Sequence, residues 1–168
     1  MLSIALVLAA ASAAEQLAPA KQGKIQCLAP IESTKTCDSL TKVTEVAPGR
    51  YTYDSESLLD ADGPVIVSEH GTATVQGNRF CETVRVADAN RLSFKVSGVP
   101  ANAAQTARYR SLYRQKMALI AGQTLCSSIG PEEDGFHEVQ AYLGTRAVPG
   151  LNYAMKWVGP NDGWKVAP

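Results

Sequence analysis

The sequence predicts an α+β domain: a mostly antiparallel sheet, built from a meander and a C-terminal hairpin, with one amphipathic helix packed on a face and disulfides as staples. Three observations predict it. From residue 40 onward, short runs that alternate apolar and polar residues are separated by Gly, Pro and Asn, the pattern of half-buried strands joined by turns. Only residues 103–121 show helical spacing between a cap and a stop. Four cysteines, Cys27, Cys37, Cys81 and Cys126, follow an apolar leader, and an even set in that setting reads as a disulfide framework.

The leader, residues 1–14, carries no charged side chain and ends in Ser12, Ala13 and Ala14, as an h-region followed by an A-x-A-like cleavage site does. A bilayer span needs ~20 apolar residues, and this run is shorter, so it is expected to be a secretory signal peptide that leaves no transmembrane segment after removal. Residues 15–24 (EQLAPAKQGK) are expected to be a flexible linker, and residues 25–168 a single domain, exported to the periplasm or the exterior. Lys plus Arg number 16 and Asp plus Glu number 16. A neutral chain lacks the basic excess of a general nucleic-acid binder, so no nucleic acid is expected as partner.

Residues 42–46 and 50–53 flank Pro48-Gly49, a pair suited to the centre of a type II turn. Residues 55–62 read as an acidic loop ending in Gly63-Pro64. A meander is expected over 65–69, 72–76 and 79–86, broken at His70-Gly71 and at Gly77-Asn78, the latter a good two-residue hairpin turn. In its third strand Phe80, Val84 and Val86 share one face while Cys81 lies on the other. Leu92, Phe94 and Val96 alternate with polar residues as a further strand. Asn102 is the expected N-cap of the helix and Gly122 its stop. Tyr109, Leu112, Tyr113, Leu119 and Ile120 fall on one stripe, the face expected to pack on the sheet. Strands at 138–143 and 153–158 flank a Pro149-Gly150 turn, and a loop at 159–163 precedes Trp164-Lys165-Val166.

Four cysteines allow three pairings. Cys27–Cys37 would close a short polar loop, and Cys81–Cys126 would clamp the helix to the sheet. No Cys-x2-Cys or His-x3-His spacing supports zinc or redox chemistry, so no cofactor or metal is expected.

Other motifs are weak. Asp60, Asp62, Gly63 and Glu69 match four positions of an EF-hand loop, but position one is Leu58, which cannot ligate calcium. Ser39-Leu40-Thr41-Lys42 matches Ser-x-x-Lys without the companion elements of that chemistry. His70 and His137 each stand beside a glutamate at expected strand–turn junctions. The helix carries Arg108, Arg110, Arg114 and Lys116 with no acid between Ala101 and Ala121. Arg110 and Arg114, one turn apart, form a flank that could meet an anionic partner. Trp157 and Trp164 bracket the last loop, where they would stack on a sugar if exposed or close the core if buried.

These features favour a small exported, disulfide-stabilised domain of bacterial type, a non-enzymatic binding or interaction module in the cell envelope. Its partner would be an envelope protein or polymer, met through Arg110 and Arg114 or through Trp157 and Trp164. The alternative is an envelope inhibitor or immunity-type protein that blocks a secreted enzyme. A third class, a small metal-dependent hydrolase, would require His70 or His137 to meet carboxylates in a pocket.

Overall fold

In the computed structural model, which describes residues 12–60 and 64–167, strand follows strand around a closed ring. β3 (Ser39–Ala47) and β4 (Arg50–Asp60) form a hairpin over Pro48-Gly49, and β4 runs antiparallel to β5 (Val65–Gln76). Gly77-Asn78 turns β5 into β6 (Arg79–Thr83), with Gly77 in the positive-φ conformation the turn requires. β6 pairs with β9 (Thr124–Glu133), which continues through β10 (Phe136–Leu143) and β11 (Arg146–Val158). β11 reaches β3 through β1 (Ile25–Leu28). The order β4-β3-β1-β11-β10-β9-β6-β5, sealed by the β4–β5 pairing, makes an eight-stranded antiparallel barrel. Closure removes the exposed edges that an open sheet would leave.

The expected α+β sheet with a helix packed on its face is therefore corrected to a closed barrel with two extra strands. Those strands, β7 (Ser93–Val96) and β8 (Val99–Pro100), form a leaf hung on Val65–Ser68 at the start of β5. Three expected breaks prove to lie within strands. Residues 55–60 continue β4, because Ser55 and Ser57 share the inward face of Tyr51 and Tyr53 and so conceal the alternation. His70-Gly71 lies in mid-β5: a Cβ on Gly71 would sit 2.2 Å from Cζ of Tyr53, so this glycine seats a ring rather than turning the chain. Pro149-Gly150 is an irregularity inside β11, where Asn152 still pairs with Gln140, and the hairpin itself turns at Gly144-Thr145.

The helix α3 (Ala103–Ala118) starts where expected, with Asn102 and Gln105 forming a reciprocal capping box. It packs only on the leaf and the start of β5 rather than across a face of the main sheet, and none of its residues is fully buried. Its inward stripe is Tyr109, Tyr113 and Met117, which pack against Val65, Val67, Ala89, Leu92 and Phe94. That second core lies between the leaf and the 3-10 turn Val86–Arg91. Leu112 and Leu119, expected on the packed stripe, are 45% and 81% exposed.

The barrel core contains Val43, Tyr51, Tyr53, Ala73, Ile129, Val139 and Met155, and Leu17 enters it from the N-terminal segment. Residues 15–24 thus contain ordered structure where a linker is expected: α1 (Ala13–Gln16), α2 (Ala18–Lys21) and Leu17 at 1% exposure. Lys21 anchors the plug on Glu45 at 2.7 Å, and the Ile129 N–H donates to Gln16 Oε1 at 3.2 Å. Residues 1–11, most of the expected leader, lie outside the described residues.

Both expected cysteine pairs are formed. Cys27–Cys37 joins β1 to the short strand β2 (Thr36–Cys37), on which β12 (Lys165–Val166) lies parallel. Around it Val158, Ile25, Leu40 and Trp164 make a third, smaller core. Cys81–Cys126 is a cross-strand staple: the two residues face each other on β6 and β9, with Cα atoms 4.0 Å apart. The expected clamp of helix to sheet is corrected accordingly, since Cys126 belongs to a barrel strand.

Candidate functional site

Two apolar cores in one barrel meet at a polar layer. Down the inward face of β4, Tyr51 and Tyr53 belong to the barrel core and Leu59 packs on the second core, with Ser55 and Ser57 between them. On β5 the same passage goes from Ala73 through Glu69 to Val67 and Val65. Ser39, Ser55 and Ser57 hydrogen-bond one another over 2.9–3.3 Å, and Thr41 donates to Ser55 at 3.1 Å.

Beside these hydroxyls is the most unusual group in the molecule. The Tyr53 hydroxyl hydrogen-bonds Glu82 of β6 and lies 3.4 Å from Glu69 Oε1 of β5. A phenol has one proton to donate, so two ionised carboxylates cannot both be satisfied by it. Burial, the largest cause, raises both glutamates above the ordinary carboxyl value. The neighbouring Glu82 charge pushes Glu69 further, while the Tyr53 hydrogen bond opposes the shift in both. Asp88 adds like charge to each, and Arg91 relieves Glu69 in part. Tyr53 itself is pushed well above the usual phenol range by burial and by the two carboxyls. Tyr113 of α3 rises to about 12, chiefly by burial and then by Glu69 and Glu82. A cavity of about 220 Å³ reaches this group, lined by Tyr53, Glu69, Glu82, Arg85, Asp88 and Arg91 among others. Its place follows from topology: β5 pairs with β7 through Ser68 and with β6 from Thr74, so Glu69–Ala73 have a strand partner on one side only.

Chemically, two carboxyls and a phenol that share protons can store or relay a proton. The same hydrogen bonds hold β4, β5 and β6 together across the polar layer. Among the described residues, no cluster of three or more His, Cys, Asp or Glu side chains is arranged to hold a metal ion.

The residues singled out from sequence are dispersed. His70 bonds Asp54 at 2.8 Å on the exposed side of the β4–β5 pair, whereas the His137 ring contacts the Gly130 carbonyl at 2.9 Å. The two imidazoles line different cavities. Ser39 faces the barrel interior and Lys42 the exposed side, since an odd offset on a strand changes face. The EF-hand match spans Ala61–Gly63, which with the Asp60 side chain lie outside the described residues; Glu69 is engaged by Tyr53, and strands rather than helices flank the segment. Arg110 donates to the Leu92 carbonyl at 2.9 Å and Arg114 donates to Asn90, so both tie α3 to the turn before β7. Trp157 packs against the barrel core with its indole N–H buried and unpartnered among the described residues, and Trp164 packs in the third core.

The Tyr53–Glu69–Glu82 group escaped the sequence reading, although a signal existed. Glu82 shares the parity of Phe80 and Val84, which places an acid on the apolar face of a strand. Comparison with known protein families, curated proteins and solved structures finds no match for this chain.

Proposed function

We propose that this chain is an exported, disulfide-stapled barrel that works as a non-enzymatic binding module of the cell envelope, recognising an envelope component through its outer surface. One observation supports this above others: the barrel is filled by the chain's own residues, from the Leu17 plug through Tyr51 and Met155 to the serine layer. Beyond the cavity of about 220 Å³ at the Tyr53–Glu69–Glu82 group, a filled barrel leaves little room for the small ligand that an open eight-stranded one can enclose. The two disulfides are compatible with an oxidising, extracytoplasmic location, and a periplasmic or extracellular site of action follows within this proposal. Among the described residues no helix is long and apolar enough to cross a membrane.

The experiment is capture from solubilised envelope by the oxidised full chain, with cross-linking and mass spectrometry, against an unrelated barrel of similar size. One component enriched reproducibly, and cross-linked to residues on the outside of the barrel, is the expected result. No enrichment over the control barrel, or cross-links confined to the rim around Leu17, would overturn the reading.

A further inference from the structure

The outer face of α3 is composed differently from the rest of the surface. From Leu92 to Pro131 the chain contains no Asp or Glu, yet it carries Lys95, Arg108, Arg110, Arg114 and Lys116. In a protein of zero formal charge this is strong segregation. Arg110 and Arg114 are used inside the molecule, as described, and Lys95 pairs with Glu56 at 2.8 Å. Arg108 and Lys116 have no ion pair or hydrogen bond among the described residues.

The two free cations stand with two exposed leucines. Residues 108, 112, 116 and 119 fall within about 80° of arc on an α-helix, and the helical conformation extends to Leu119, the C-cap. Arg108, Leu112, Lys116 and Leu119 therefore form one exposed stripe on a flank of the helix, centred about 100° of arc from the inward residues Tyr109, Tyr113 and Met117. No residue of α3 lines the cavity at Tyr53, Glu69 and Glu82 or the cavities at His70 and His137. The stripe is apolar along its middle and cationic at its sides. Cations beside exposed leucines are the residue types that the boundary between anionic headgroups and acyl chains accommodates.

From this juxtaposition we infer that the outer face of α3 docks on a membrane surface rich in anionic lipid, with Arg108 and Lys116 at the phosphates and Leu112 and Leu119 among the upper acyl carbons. The inference rests on the proposed envelope role and names the component recognised. It also reassigns the cationic contact from Arg110 and Arg114, whose guanidinium groups hold the helix in place.

The oxidised full chain should co-sediment with vesicles of phosphatidylglycerol and phosphatidylcholine, should fail to do so with phosphatidylcholine alone, and should be released by added salt. Arg108→Glu with Lys116→Glu should weaken binding by roughly tenfold or more. Leu112→Gln with Leu119→Gln should weaken it while leaving the salt dependence in place. Thermal melts of each variant, matching the parent, exclude unfolding as the cause. Equal binding to both vesicle types, binding to neither, or parent-like binding by the charge-reversed variant would overturn the inference. If vesicles fail while envelope capture still enriches one protein component, the lipid assignment falls and the binding-module reading stands.

Discussion

The interior of the barrel and the outer face of α3 treat the same kinds of residue in opposite ways. Inside, most polar groups are paired, the Trp157 indole N–H excepted: Ser39, Ser55 and Ser57 bond one another, Tyr53 bridges Glu69 and Glu82, and Tyr51 donates to Glu45. The apolar side chains there are covered, with Leu17 serving as the plug. On α3, Leu112 and Leu119 are exposed, and Arg108 and Lys116 have no partner among the described residues. Pairing a buried polar group avoids a desolvation cost of roughly 1–3 kcal/mol, so the interior arrangement is what stability alone requires. Stability does not require two leucines in water beside two free cations. That contrast separates residues that make the fold from residues available to a partner.

The contrast can be broken from the inside first. Replacing Cys81 and Cys126 with Ala should cost the most, about 4 kcal/mol by the loop-entropy model, because the staple closes a 45-residue separation. The urea midpoint of the oxidised variant pair measures it. Leu17→Ala should cost about 3 kcal/mol, read from the same transition. A loss below about 0.5 kcal/mol would mean that Leu17 is no plug.

Next comes the polar layer. Glu69 and Glu82 bind protons more tightly in the fold than in the unfolded chain, where the carboxyl value is near 4.5. Their contribution to stability is thus fully present below the unfolded value and is lost as pH rises through the raised values. Stability should fall on going from acid to neutral pH, and Glu82→Gln should flatten that slope while keeping a hydrogen bond to Tyr53. A slope unchanged in the variant would show that the pair does not share its protons as described. The smallest effect belongs to the outside. Leu112→Gln with Leu119→Gln should move the folding free energy by no more than about 0.5 kcal/mol, as surface changes do, while binding falls.

How much of this was legible in the sequence depended on the range of the interaction. The Gly77-Asn78 hairpin, the Asn102 cap and the pairing of Cys27 with Cys37 are decided within a few residues, and all were readable. The barrel was not, because its closure depends on β1 meeting β11, with Ile25 opposite Val158, and on β4 pairing at both edges. No local pattern encodes such contacts. Polar residues facing inward did the rest of the concealment: Ser55 and Ser57 made a strand look like a loop. The sequence places Glu69 at the end of an expected strand beside His70, but the break expected at His70-Gly71 hides that β5 continues and that Glu69 shares the inward parity of Val65 and Val67. On the helix, the stripe read from periodicity mixed two faces, since Tyr109 and Tyr113 face the core while Leu112 and Leu119 face solvent. The sequence singles out Arg110 and Arg114 as a free cationic flank, whereas in the fold both bond the turn before β7.

The most direct test of the division between a filled interior and an available helix face is carbene footprinting of the oxidised full chain, with and without vesicles containing phosphatidylglycerol. Labelling should fall at Leu112 and Leu119 and remain unchanged at Leu17, Tyr51 and Met155. Protection at the barrel rim around Leu17, or none along α3, would contradict the account.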